Sequence, residues 1–328
     1  MENNPYQLYS SVERQQVDWL WYPYIPYGKV TLLQGDPGDG KSTCMIHLAA
    51  SLSTGGRLPD GTSIPAAQNV IYQCAEDNVG DTVKPRMEQA GADCSRIAFI
   101  SCSEKEPLRL TDKRIEETIR LLEAKLLIID PVQAFFTQDG EMHSAVKARA
   151  VMGNLARIAE KYKCAVVLIG HLNKSAGGKN LYRGLGSIDI AAIARSVLMV
   201  TRDRQMPDIR YLSQIKSSLA PEGGSVAFII DSDVGFQWIG RCSVRAMDDR
   251  MELMEPERKT KIWRVKNIIR LMLTADDVPS NAVIDTMKNL NVSERTVRRA
   301  AKEIGVTAYR KRYVWYWKLE PESSDGNE

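Results

Sequence analysis
From residue 29 to residue 171 the chain alternates short, unbroken apolar runs with longer stretches of helical periodicity. The apolar runs cover 29–34, 69–74, 96–100, 125–130 and 164–171, rich in Val, Ile and Leu and without polar alternation. That is the pattern of strands buried on both faces. Between them, 43–50, about 79–90, 112–124 and about 144–161 read as helices. Strand and helix in turn predict an α/β fold whose mostly parallel sheet is covered on both sides. Three further strand-like runs, 196–201, 209–216 and 225–230, are separated by turn-forming segments, as in a β-meander. Ahead of the first run, residues 19–27 are dense in aromatics and carry two prolines, which exclude a helix there. An aromatic lid, an arm on a neighbouring subunit and an extended segment sealing the sheet all fit this composition.

A second pattern begins near residue 262. Helical periodicity over about 262–274, 280–289 and 293–304 gives way to a strand-rich stretch, 306–319. In the third helix Ser293 is a strong N-cap, and Val297, Ala300, Ala301 and Ile304 fall on one face. Arg295, Arg298, Arg299 and Lys302 are left for the outer surface. Helix, tight turn and helix read as a helix-turn-helix with 293–304 as recognition helix. The following hairpin would be a wing, with Arg310, Lys311 and Arg312 set for phosphate contact. Trp315 and Trp317 alternate as strand residues do and read as packing the small core rather than stacking on bases. A charged helix in a protein-docking domain is the competing reading. The expected division is a flexible 1–18, a core at 19–240, a charged, Met-rich linker at 241–262, a small module at 263–319 and a disordered acidic tail at 320–328.

Charge sharpens this division. The net charge is only +3 over 328 residues, yet residues 256–313 hold 14 Lys/Arg against 6 Asp/Glu. A near-neutral body with a basic terminal module points to nucleic acid as a partner of that module. Apolar residues at 44% and charged residues at 26% are ordinary for a soluble globular chain. No apolar run approaches the roughly 20 residues of a membrane span, and no signal peptide is visible. The six cysteines form no C-x-x-C pair and read as reduced thiols of a cytoplasmic protein.

The chemistry concentrates after the first strand. Gly35-Asp36-Pro37-Gly38-Asp39-Gly40-Lys41-Ser42 fits the phosphate-binding pattern G-x-x-x-x-G-K-[ST] at every fixed position, with Thr43 opening the helix beyond. Glycines let backbone N–H groups turn toward an anion, and the helix start adds its positive dipole end. Lys41 is expected at the β- and γ-phosphates of ATP, and the Ser42 hydroxyl on Mg²⁺. Asp130, at the carboxyl end of an apolar strand, is expected to hold the same metal through water. Attack by water needs a base. The residue after Asp130 is Pro131, so the carboxylate must come from another strand end, where Glu76 stands; capping of the next helix is the alternative for Glu76 or Asp77. His171, also at a strand end, suits a γ-phosphate sensor.

Taken in order, the phosphate loop, Cys-Ala-Glu76-Asp, Ile-Ile-Asp130-Pro, Gly-His171-Leu-Asn-Lys and Tyr-Arg183-Gly-Leu-Gly-Ser resemble the RecA-type AAA ATPases. The similarity is to the RepA-like replicative helicase branch and related phage and prophage ATPases, over roughly residues 15–240. It implies a RecA-like core, a homo-oligomeric ring, often a hexamer, and ATP bound between subunits. It also implies a basic residue reaching into the neighbour's site, for which Lys216, Arg195 and Arg183 are the candidates. Related ring helicases continue Lys-x-Arg where this chain has Lys216-Ser-Ser218. The terminal module resembles the winged helix of prophage ATPases. Loops 137–145 and 173–187 would face a central channel and grip single-stranded DNA, with duplex DNA met by the terminal module. The expected activity is that of a DNA-dependent ATPase, a helicase or translocase for a mobile element. A nucleotide-switched loader without unwinding activity is the alternative.

Overall fold
The computed structural model describes residues 6–103, 105–136, 145–171, 188–243 and 260–319. The expected channel loops 137–145 and 173–187, Arg183, most of the expected linker and the acidic tail lie outside the described residues.

A nine-stranded sheet organises the chain. Its centre is β3 (Val30–Gly35), every residue of which is buried. Parallel to it run β7 (Ala165–His171) on one side and β8 (Ser196–Arg202) on the other. Beyond β7 lie β6 (Leu126–Asp130), β4 (Val70–Cys74) and the short β5 (Ile97–Ala98), all parallel. Beyond β8 the sheet turns antiparallel through β9 (Ile209–Ser217), β10 (Ser225–Asp231) and β11 (Gly235–Cys242). The expected strand at 96–100 is thus trimmed to two residues, and the meander has a fourth strand, β11. Mixed apolar and polar residues along 235–242 hide that edge strand from a periodicity argument.

Alternate residues of each strand feed cores on opposite faces. Leu33 joins α1 (Lys41–Thr54) and α2 (Lys84–Gln89) on one face. Leu32 joins α3 (Lys113–Leu122) and α4 (Ala145–Tyr162) on the other. A short α5 (Ile188–Ile193) precedes β8. Residues 19–27 are extended against the sheet, with Tyr22 left exposed. They fold into a small hairpin, β1 (Trp19–Trp21) and β2 (Ile25–Pro26), whose Trp21, Tyr24 and Ile25 are buried in the first core. Their polar ends are satisfied: the Tyr24 hydroxyl donates to Gly224 O at 2.8 Å and Trp21 Nε1 to Asp60 at 3.2 Å.

The terminal elements are α6 (Lys261–Met272), β12 (Val278–Pro279), α7 (Ser280–Asn289), α8 (Glu294–Glu303), β13 (Val306–Lys311) and β14 (Val314–Leu319). The strands form a separate three-stranded antiparallel sheet ordered β12-β14-β13. Thr260 and Ser293 cap α6 and α8 by accepting from Trp263 N and Thr296 N, each cap contributing about 1 kcal/mol. Val265, Ile268, Ile269 and Met272 give α6 one apolar stripe, and Val297, Ala300 and Ala301 do the same for α8. These stripes do not close a core of their own. They share a hydrophobic cluster with Ile209, Tyr211, Ala227, Ile229 and Ile239 of β9, β10 and β11. Arg264 of α6 fixes the contact by donating to both Asp208 and Asp231, at 2.5 and 2.7 Å. Among the described residues no helix is long and apolar enough to cross a membrane.

On the other face, His47 of α1 stacks on Phe236 of β11, ring centroids 3.9 Å apart and 13° from parallel. Burial pulls its pKa from 6.5 down to about 4. Between those values the unfolded chain binds a proton that the folded chain refuses, so stability falls as pH drops from about 6.5 toward 4. His47→Phe keeps the stacked ring and removes the proton site. We expect a shallower loss of the urea midpoint over that window than in the wild type. Parallel curves for the two proteins would show that His47 titrates normally.

Candidate nucleotide site
The site lies at the carboxyl edge of the parallel strands, where such sheets place ligands. β3 ends at Gly35, the loop 36–40 follows, and α1 begins at Lys41. Gly38 and Gly40 take φ of +81° and +91°, a region that glycine enters without steric cost. Gly40 is also closed by its neighbours: a Cβ there would stand 2.6 Å from Ile230 Cδ1 of β10. At Gly35 a Cβ would meet Val200 O, also at 2.6 Å. The glycines therefore allow both the turn and its close seating on the sheet. The first N–H groups of α1 have no intrahelical acceptors and face the mouth of this turn.

Lys41 is only 4% exposed. Its ammonium curls back over the loop and donates to Gly35 O at 2.9 Å and Asp36 O at 2.8 Å. Burial lowers its pKa, opposed by the carboxylates of Asp39, Asp130, Asp36 and Glu76. Those four acids mark out the site around the cation. Asp39 is itself raised by burial and by Asp36, with Arg202 pulling the other way. Arg202 closes the outside of the loop, donating to Gly38 O at 2.7 Å and approaching Asp39 at 3.7 Å.

Asp130 is 3% exposed and accepts from the Tyr72 hydroxyl at 2.7 Å. The pKa of Tyr72 rises well above normal through burial and the charge of Asp130, with Ser42 pulling the other way. The phenol thus orients one of the two groups expected to hold Mg²⁺ and feels the other. Cys74 stands in register with Asp130, which brings Glu76, two residues on, to the same edge as an exposed carboxylate. Neither Glu76 nor Asp77 caps the next helical turn. Asn78 does so, accepting from Gly80 N and Asp81 N, while Asp77 pairs with Arg86 at 2.6 Å. His171 ends β7 in register with Gly35; its side chain lies outside the described residues.

The finger candidates sit elsewhere. Arg195 N donates to Val30 O and Lys216 pairs with Val197, so both mark the amino edge of the sheet. β3 separates that edge from the loop, and its six residues at about 3.3 Å each span roughly 16 Å. Neither residue reaches its own chain's loop. The Lys216 ammonium is engaged with the last carbonyls around α5, those of Ala191, Ala192 and Ala194, at 2.8 to 3.1 Å. Sequence reasoning missed Arg202 and Tyr72. Arg202 ends a parallel strand beside the loop, so the rule that finds Asp130 would have found it once β8 was known to be parallel. Tyr72 carries no motif signal.

A buried ammonium in a turn of glycines, an unpaired helix start, a hydroxyl opening the helix and a buried carboxylate oriented by a phenol fit a magnesium–triphosphate group. Lys41, Ser42 and Asp130 would hold it, the metal spreading the charge of the phosphate oxygens. Fold and site together define a RecA-like P-loop ATPase core. A family model described as AAA domain matches residues 7–177, just over half of the chain, and the chain belongs to that family. Curated relatives include the DNA repair protein RadA of Mycobacterium tuberculosis, 28% identical over 159 residues, covering 47% of this chain and 30% of the relative. RadA of Halalkalibacterium halodurans is 28% identical over 166 residues, 49% of this chain and 32% of the relative. RadA of Chlamydia pneumoniae is 29% identical over 150 residues, 45% and 29%. The aligned part thus spans under a third of the length of each.

Tyr72→Phe tests the contact that orients Asp130, a group expected to hold the metal. It removes only the hydroxyl that orients Asp130, and losses of this kind typically cost about 10–100-fold in metal affinity. We expect the Mg²⁺ concentration for half-maximal nucleotide binding to rise about tenfold, with little change at saturating Mg²⁺. An unshifted Mg²⁺ titration would remove Tyr72 from the site.

Proposed function
We propose that the protein is a DNA-dependent ATPase that works as a ring-forming helicase or translocase, with ATP shared between subunits. The observation that carries this reading is the separation of its charged parts along one sheet. The loop, Lys41, Ser42, Asp130 and Glu76 gather at the carboxyl edge, while Arg195 and Lys216 stand at the amino edge. In a head-to-tail assembly the amino edge of one copy faces the loop of the next. Glu76 then activates water, His171 senses the γ-phosphate, and Arg195, Lys216 or Arg183 supplies the charge that lowers the barrier, an effect of order 10³–10⁵ in rate.

Replication of a phage, prophage or plasmid remains the setting we favour, and DNA repair, named in the RadA relatives, is its neighbour. DNA as the polymer is supported by those relatives and by the basic terminal elements. Arg295, Arg298, Arg299 and Lys302 are all exposed on α8, and Arg310, Lys311 and Arg312 on the hairpin. Three helices with a three-stranded sheet suit the winged helix-turn-helix module expected at 263–319, with 19–240 as the core. The second reading, a nucleotide-switched loader without unwinding, is favoured by Lys216. Its ammonium is already engaged at α5, and the Lys-x-Arg pattern is absent.

Mixing experiments address the shared site. Lys41→Ala and Asp130→Ala should each abolish phosphate release. Glu76→Gln and Arg195→Ala, each inactive alone, should regain part of the wild-type rate when mixed, because some interfaces then hold an intact set of both residues. A mixture as inactive as its parts would dismiss shared sites. Stimulation of turnover by single-stranded DNA with strand displacement supports the helicase, and stimulation without displacement the loader.

A further inference from the structure
The hairpin that ends the described chain carries more than phosphate-binding charge. β13 and β14 pair in register from Val306↔Leu319 to Lys311↔Val314, leaving a two-residue turn, Arg312-Tyr313. Both turn residues have positive φ, +47° and +69°. A tight hairpin turn of this type demands φ above zero at both central positions and is ordinarily built from Asn-Gly. Arginine and tyrosine hold that conformation only against steric resistance from their Cβ atoms. The residues least suited to the turn are the ones best suited to touch something beyond it.

What they present is unusual for a surface. Tyr313 is 90% exposed and Trp315 54% exposed, with Val314 also open. The Arg310 guanidinium lies over the Tyr313 ring at 5.5 Å from its centroid. Arg310 is also the cross-strand partner of Trp315, so the two share a face. Trp317, two residues further along the same face, is buried in the core. The small core thus takes one tryptophan and leaves the other outside it, correcting the expectation that both pack inside. Two large rings, flanked by the consecutive cations Arg310, Lys311 and Arg312, form a tip that is apolar on its faces and positive around them. Protein partners of a basic tip need acidic side chains, which offer no flat surface for two rings. Nucleic acid offers regular phosphates and flat base faces within one ligand.

We propose that this tip is a base-contacting wedge: Tyr313 and Trp315 stack on base faces exposed at a DNA fork, while Arg310, Lys311 and Arg312 hold the flanking phosphates. Stacking needs an exposed base face, which a fork provides and a closed duplex does not. The proposal rests on DNA being the polymer the protein acts on, and the experiment separates the two ideas.

The test measures affinity of the full chain for a forked duplex and a blunt duplex of equal length at fixed salt, with 2-aminopurine at the fork. For wild type we expect a preference for the fork and a change in 2-aminopurine emission on binding. Tyr313→Ala with Trp315→Ala should weaken fork binding about tenfold, within the range of base–aromatic stacking losses. It should change blunt-duplex binding less than about twofold and leave the salt slope intact, since no charge is removed. Tyr313→Phe with Trp315→Phe should restore fork binding. Arg312→Asn with Tyr313→Gly, which relieves the turn, should raise the thermal midpoint while weakening fork binding. Unchanged fork affinity in the alanine variant, or an equal loss on both duplexes, overturns the wedge and leaves the ATPase reading standing. A shift in sedimentation mass with unchanged DNA affinity assigns the tip to subunit contact and overturns it as well. A wild type that binds neither duplex refutes wedge and DNA dependence together.

Discussion
The structure depends on keeping one ammonium group, that of Lys41, in a place where water hardly reaches. Burial disfavours a charge strongly, and Lys41 is held by compensation from two sources. The carbonyls of Gly35 and Asp36 accept its protons directly. The carboxylates of Asp39, Asp130, Asp36 and Glu76 supply the field. Each of those acids reaches the site only because a strand or a loop ends there. The parallel sheet is therefore more than a scaffold. By ending β3, β4 and β6 at one edge, it assembles an acidic ring around a cation whose natural complement is a polyanion with its own metal. Glycine is required for the same reason. With any side chain at Gly35 or Gly40 the loop would be pushed off Val200 or Ile230, and the cation would lose its enclosure.

The same sheet sets a polarity. Groups expected to hold phosphate lie at the carboxyl edge and the basic candidates Arg195 and Lys216 at the amino edge, so one copy does not bring them together. In the proposed head-to-tail assembly these unlike edges would meet in a heterologous interface. Arg202 has a different task from those residues. It is bonded to its own loop through Gly38 and Asp39 and shares with Lys41 the neutralisation of Asp39. A basic residue in cis thus shapes the loop, a task separate from that proposed for a basic residue in trans.

Much of this was legible in the residues. The phosphate loop, β3, β6 and β7 announce themselves because a doubly buried strand has no choice but to be apolar throughout. The helices α6, α7 and α8 are legible because one-sided burial imposes a 3.6-residue period. Asp130 followed from strand-end logic, which also brought Glu76 to the right edge. What stayed hidden shares a physical cause: it depends on who the neighbour is. Tyr72 looks like any strand aromatic until β6 places Asp130 beside it. Strand β11 is an edge strand of mixed apolar and polar residues, so its pairing rather than its pattern defines it. The prolines of 19–27 rightly excluded a helix, but the burial of Trp21 and Tyr24 comes from partners distant in the chain, Asp60, Gly224 and Trp238, and no local pattern encodes that.

The terminal elements show how far a local pattern can mislead about independence. Three helices and a small sheet read as a separate unit, and their stripes are apolar enough to suggest a private core. Yet α6, α7 and α8 are short, and Ala300 and Ala301 bring little side-chain volume to α8. A cluster built from them alone would leave Val265, Ile268 and Ile269 half covered, forfeiting about 1.5–3 kcal/mol for each large side chain left in water. Ile209, Tyr211, Ala227 and Ile229 have the complementary deficit, because β9 and β10 lie beyond the reach of the helices that cover β3, β6 and β7. Joining the two faces satisfies both, and Arg264, bound to Asp208 and Asp231 at once, fixes the register of the join. Gly40 of the loop packs on Ile230, whose neighbour in the chain is Asp231. The helix α6, on which α8 packs, is thus tied to the same strand that seats the nucleotide loop. The basic face of α8 keeps a fixed relation to that loop for as long as the shared core stays closed.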